Sequence, residues 1–157
     1  MDHTQIGLAG EYYVLAQLTQ RDLVATLTLS NTKAVDILVA NQDLNKFYKV
    51  EVKTMLKKPG YSRLFGDTKF WSWPMNEKHE DRIDDNLYYC FVALQGTDSL
   101  PKFFIVPSID VAIYVKKQHE YWLSTRKNQV KETSMRQFRI PIDDPKGYEN
   151  NWQVFLR

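Results

Sequence analysis

The order of patterned segments predicts an α/β (α+β) protein built on a single central mixed β-sheet flanked by helices. Three observations carry this expectation. An amphipathic stretch opens the chain. Three β-rich segments follow in quick succession over residues 23–54. Two further apolar runs, at 87–94 and 102–106, precede a second amphipathic stretch at 109–125. The 157 residues suit one domain, 1–157, with a polar C-terminal extension from about 126.

Residues from about 5 to 20 read as a helix whose apolar face holds Leu8, Leu15 and Leu18, with Tyr12 beside them. Residues 23–29 alternate as a strand, and Ser30-Asn-Thr32 is a turn signal. Residues 34–40 read as a second strand. Polar residues 41–45 suit a hairpin loop into a third, strongly alternating strand at 46–54. Residues 56–78 hold Pro59, Gly60, Gly66 and Pro74 and read as irregular, and the charge-dense stretch 77–85 suits a short helix. Ser108 is placed to cap the helix that follows it, and a last strand is expected at 137–140.

The composition narrows the function classes. With 43% hydrophobic residues and a net charge of +2, the chain is not a disordered polyelectrolyte, and any nucleic-acid surface must concentrate its cations locally. Cys90 is the single cysteine, which excludes an intramolecular disulfide and a cysteine zinc cluster. It lies within an apolar run and is expected as a small buried hydrophobe. His3, His79 and His119 have no metal-ligand spacing and are expected at the surface. No long apolar segment and no signal-peptide pattern are present, so a cytoplasmic protein without membrane association is expected.

The chemistry-bearing stretch is Lys49-Val-Glu-Val-Lys53. Strand alternation sends Val50 and Val52 to one face and Lys49, Glu51 and Lys53 to the other. A carboxylate beside an ammonium suits metal-assisted phosphodiester hydrolysis: the acid holds a divalent ion, and the lysine orients water or neutralises charge on the phosphate. Asp/Glu-x-Lys also occurs at Asp67-Thr-Lys69 and Asp144-Pro-Lys146, but only Glu51-Val-Lys53 sits in an alternating strand. Taken alone it reads more readily as an exposed strand face of mixed charge. Asp36 shifts the balance, because it interrupts an apolar strand at a cost unless paired, edge-exposed or metal-bound. Neighbouring antiparallel strands would bring Asp36 and Glu51 within reach of one ion, and magnesium favours such oxygen ligands. Glu11, on the apolar stripe of the first helix, is a third acid, aimed into a polar site or snorkelling at the helix flank.

A helix with a glutamate, a strand with an aspartate and a hairpin to a Glu-x-Lys strand resembles the PD-(D/E)XK nuclease superfamily, in the style of archaeal Holliday-junction resolvases and restriction-endonuclease-like proteins. The resemblance covers roughly residues 5–54. It implies a restriction-endonuclease-like core and a Mg²⁺ (or Mn²⁺) dependent endonuclease acting on DNA. Asp36 would be the motif's aspartate, Glu51 its second acid and Lys53 its lysine. Glu11 would match the helical glutamate of many members, and the Val52 carbonyl would be a further metal ligand. Two departures stand out: Val35 rather than proline precedes Asp36, and no long helix is evident directly after the Glu-x-Lys strand.

Lys57, Lys58, Arg63 and Lys69 follow this strand with Tyr61, Phe65, Phe70, Trp71 and Trp73 interleaved. Cations bind phosphates and aromatic faces stack bases, so a mobile nucleic-acid-binding loop is one reading. The other is a solvated loop whose rings fold back onto the core. A second basic series runs through Lys116, Lys117, Arg126, Lys127, Lys131, Arg136 and Arg139. The rival to the enzyme is a non-catalytic nucleic-acid- or protein-binding module on the same fold. Cutting both strands of a duplex asks for two active sites, which is compatible with a homodimer.

Overall fold

The computed structural model describes residues 1–29, 34–126 and 131–157; residues 30–33, with the expected turn at Ser30-Asn-Thr32, and 127–130, with Lys127, lie outside the described residues. In chain order the elements are α1 (His3–Thr19), β1 (Val24–Leu27), β2 (Ile37–Ala40), β3 (Phe47–Met55), β4 (Gly60–Tyr61), β5 (Lys69–Asn76), a 3-10 turn (Glu77–Glu80), β6 (Leu87–Ala93), β7 (Lys102–Pro107), α2 (Ser108–Thr125), β8 (Met135–Pro141) and a second 3-10 turn (Trp152–Phe155). They form two compact units, one of Met1–Lys57, Asn86–Pro107 and Lys146–Arg157, the other of Lys58–Asp85 and Ser108–Pro145.

The first unit holds a five-stranded sheet in the order β1-β2-β3-β6-β7. Its β3–β6 pair is parallel and the other pairs antiparallel, so the mixed central sheet expected from sequence is present. The β2–β3 hairpin closes because Asn41 Oδ1 accepts the backbone N–H groups of Asn45 and Lys46, each at 3.0 Å. Val14, Leu18, Ile37, Val39, Val50, Val52, Cys90, Val92 and Ile105 make the core, so Cys90 is the buried hydrophobe anticipated. Burial pushes the Cys90 thiol well above its ordinary pKa.

Helix α1 is started by a capping box in which the Asp2 carboxylate accepts Gln5 N–H at 2.8 Å. Its buried line is Gly10, Val14 and Leu18, not the expected Leu8, Leu15 and Leu18. Leu8 and Tyr12 are 43% and 58% exposed. The reason lies at Gly10. A Cβ there would stand 1.8 Å from Thr54 Oγ1, so only glycine lets the helix settle this close to β3. The helix turns to put its smallest residue, rather than its leucines, against the strand.

The second unit holds β4, β5 and β8 in one antiparallel sheet, with α2 and the Glu77–Glu80 turn packed together. Here the expectation of an irregular stretch at 56–78 fails, since β5 runs for eight residues. Trp71, Trp73 and Met75 alternate inward, at 7%, 0% and 7% exposure. Pro74 had argued against a strand. It is tolerated because β4 reaches only to Phe70, leaving that edge of β5 open alongside Pro74 while β8 covers the other. His79 is also corrected: it is 2% exposed, with Nδ1 at 2.9 Å from Asn76 O. His119 is largely covered, contacts Glu132 at 2.5 Å and stacks on Trp122.

Candidate active site

All four residues expected to carry chemistry belong to the first unit. Asp36 does not stand inside β2, as the sequence suggested, but at its entrance, since β2 begins at Ile37. Ile37 is the register partner of Val50, yet the Asp36 N–H also donates to Val50 O at 2.9 Å. Two residues thus address one, as in a β-bulge, a device that re-aims side chains. The Asp36 carbonyl in turn accepts Thr28 N–H at 2.9 Å, so the backbone stays bonded on both sides.

The bulge delivers the Asp36 carboxylate to β3, where Oδ2 accepts the Val52 N–H at 2.6 Å. In an extended strand a residue's N–H and C=O point to the same edge. The Val52 carbonyl is therefore turned toward the edge occupied by Asp36, beyond Val50, the last β3 residue in register with β2.

Glu51 precedes Val52 and is 3% exposed. It lies in register with Tyr89, and Lys53 with Phe91, two fully buried stacked rings on β6. Taking a carboxylate out of water requires compensation. Lys53 supplies some of it, with Nζ at 2.5 Å from Glu51 Oε1 and the lysine side chain 28% exposed. Alternation did place Glu51 and Lys53 on one strand face, but that face is covered at Glu51, not solvated.

Glu11 follows Gly10 directly and is half-buried. Burial, and then the negative charge of Asp36, raise its carboxyl pKa above the ordinary range. The close approach that Gly10 permits therefore brings a helical acid under the influence of Asp36.

The donor set fits a hard divalent cation. Asp36 and Glu51 offer carboxylate oxygens, and Val52 a carbonyl, all oxygen ligands of the kind Mg²⁺ and Mn²⁺ take. Among the described residues no three Asp, Glu, His or Cys side chains converge as a ready-made metal cluster. Were Asp36 and Glu51 to hold such an ion, backbone and solvent oxygens would have to complete its shell.

The basic residues after β3 divide between the units. Lys57 ends the first, and Lys58, Arg63 and Lys69 belong to the second; all four are exposed. Lys69 lies 5.2 Å from the centroid of the exposed Tyr61 ring. Trp71 and Trp73 instead fill the core of the second unit, and Phe65 and Phe70 pack against each other at 5.3 Å. In the second basic series Arg136 is buried against Glu80 at 2.5 Å, whereas Lys116, Lys117, Arg126 and Lys131 are exposed.

No protein-family profile matches the sequence, and no curated protein sequence does so. The fold is similar to the solved structure of a bacterial homing endonuclease, I-Ssp6803I, with a TM-score of 0.56 over 99% of this chain and 91% of that one, at 14% identity. Likeness at this identity is one of fold. Among the described residues no helix is long and apolar enough to cross a membrane.

Proposed function

We propose that this chain is a metal-dependent DNA endonuclease of the PD-(D/E)XK kind, with Asp36, Glu51 and Lys53 at its centre and Glu11 beside them. One observation carries the reading. The Asp36 carboxylate accepts the N–H of Val52, the residue between Glu51 and Lys53, and Lys53 pairs with Glu51, which supports reading the three as one centre. The fold likeness to a homing endonuclease supports it.

Asp36, Glu51 and the Val52 carbonyl would hold Mg²⁺ or Mn²⁺, which supplies Lewis-acid charge to the phosphate and acidifies bound water. The chain's own residues do the rest. Lys53 brings a fixed positive charge to the side of Glu51, where it opposes negative charge growing on the phosphate. Glu11, its carboxyl pKa raised, holds a proton more readily than an ordinary glutamate and can accept one from water near Asp36. The covered face around Tyr89 and Phe91 limits water there and strengthens these charges. Lys57, Lys58, Arg63 and Lys69 are the cations offered to the nucleic-acid backbone.

A second reading, a non-catalytic binding module, is favoured by the direct Glu51–Lys53 contact, which balances charge without an ion. Supercoiled plasmid incubated with the protein in Mg²⁺ and in excess chelator separates the two. Nicking or linearisation that needs Mg²⁺ and vanishes in Asp36→Asn supports the enzyme. No cleavage of plasmid, branched or single-stranded DNA in Mg²⁺ or Mn²⁺ supports the module.

A further inference from the structure

We propose that a pocket at the C-terminal end of α1, headed by Arg21, binds a phosphate oxyanion. The pocket lies wholly in the first unit and encloses about 440 Å³. Its walls include Gln17, Arg21, Phe103, Asn150, Trp152 and Gln153, with no acidic residue lining it.

The guanidinium is held ready. Arg21 Nη1 donates to Gln17 O at 2.8 Å and to Gln17 Oε1 at 2.9 Å. Its plane is further fixed by Trp152, whose ring centroid lies 4.7 Å from Cζ. A guanidinium carries five N–H donors, and the two on Nη1 are engaged by Gln17. The Nη2 and Nε hydrogens remain as a rigid fork, the geometry that matches a phosphate oxygen pair.

Two facts make this a site rather than a capped helix end alone. Arg21 has no carboxylate partner among the described residues. Burial removes part of its water and lowers its pKa, with no acid contributing. Side-chain amides from Asn150 and Gln153 add adaptable donors. Among the described residues Arg21 is the one charged side chain in the lining, and its positive charge selects an anion. The pocket is distinct from the Glu11 region: Arg21 lies beyond the end of α1 at Thr19, and the eight helical steps from Glu11 to Thr19 alone span about 12 Å.

Phosphate chemistry has two sources here, a nucleic-acid backbone or a free phosphate, and the test has an arm for each. Isothermal titration of the full chain with inorganic phosphate should show saturable binding. Arg21→Lys, which keeps charge but loses the fork, should weaken it about tenfold, and Arg21→Gln should abolish it. Because Arg21 also caps α1, Gln153→Ala serves as a variant that leaves the helix untouched and still lowers phosphate affinity. The second arm measures binding of a DNA duplex in chelator. A loss of affinity in Arg21→Gln, with a salt slope reduced by about one phosphate contact, identifies the backbone as the source. Phosphate binding lost while duplex binding holds identifies a free phosphate. The proposal is overturned if wild type binds no phosphate and Arg21→Gln leaves duplex affinity unchanged. It is equally overturned if phosphate binds alike to wild type, Arg21→Gln and Gln153→Ala, which makes Arg21 a helix cap only.

Discussion

Asp36 Oδ2 accepts the Val52 N–H at 2.6 Å, which ties the acid at the entrance of β2 to the strand that carries Glu51 and Lys53. The contact has a structural share and an electrostatic share, and two substitutions divide them. Asp36→Ala removes the acceptor and should cost about 1–3 kcal/mol in urea denaturation. Asp36→Asn keeps an acceptor oxygen and should recover most of that loss. Both should abolish Mn²⁺ binding by calorimetry, because the carboxylate charge is gone. Undiminished Mn²⁺ affinity in Asp36→Asn would remove Asp36 from the ligand set.

Lys53 should show the largest separation between rate and affinity. Lys53→Met should slow single-turnover cleavage by about a hundredfold or more while leaving DNA affinity nearly unchanged, if its charge acts on the transition state. The ion pair adds a stability cost. Depriving the buried Glu51 carboxylate of its ammonium should lower stability by about 1–3 kcal/mol, so rates must be read well below the variant's melting temperature. Equal cleavage by wild type and variant leaves Lys53 with the structural role alone.

Glu11 should make stability fall with rising pH. Its folded-state pKa lies above the ordinary 4.5 because of burial and Asp36. Between those two values the unfolded chain has released the proton and the folded chain keeps it, so ionisation favours unfolding across that window. Stability is highest below the window and stays lowered above it. In metal-free buffer Glu11→Gln should lose this component and be more stable than wild type at neutral pH. Parallel pH profiles for the two proteins would show that Glu11 is not perturbed.

Gly10→Ala should destabilise despite alanine's better helix propensity. The added methyl meets Thr54 Oγ1 at 1.8 Å and Thr54 Cβ at 2.8 Å. Overpacking of this kind costs about 1–3 kcal/mol, against about 1 kcal/mol gained from propensity. Thr54→Ala removes the closest atom, so the double variant should be more stable than the sum of the singles. Additive losses in that cycle would place the clash elsewhere.

The exposed cations Lys57, Lys58 and Arg63 should contribute to nucleic-acid affinity through charge alone. Their joint replacement by alanine should weaken duplex binding and reduce the salt slope by roughly one contact per lost cation. An unchanged slope assigns them to solvent.

The sequence by itself determined the helix and five strands of the first unit and the strand face shared by Glu51 and Lys53, but not its closing Trp152–Phe155 turn, whose rings enter the core from a tail that had read as polar. Hydrophobic alternation is a local property, and at 46–54 it is nearly unbroken, so β3 was legible along with the hairpin that leads into it. Buried runs such as 87–94 were legible for the same reason. The eight-residue β5 was not. Pro74 and two nearby glycines are local breakers, and beyond the short β4 it is β8, far later in the chain, that pairs along the strand from Phe70 to Asn76. The face of α1 was likewise decided by tertiary structure, because a glycine carries no apolar signal and yet sets how closely helix and strand approach.

Within the candidate site the identities of the acids were visible, but their surroundings were not. Asp36 was placed inside a strand, whereas a bulge sets it at the strand's entrance and turns its carboxylate to the Val52 N–H. Glu51 looked solvated from alternation alone, yet it is 3% exposed and lies in register with the buried Tyr89 on β6. Burial and hydrogen-bond direction depend on what packs from elsewhere in the chain. Periodicity names which residues share a face, and only the fold decides whether that face meets water, an ion or the core.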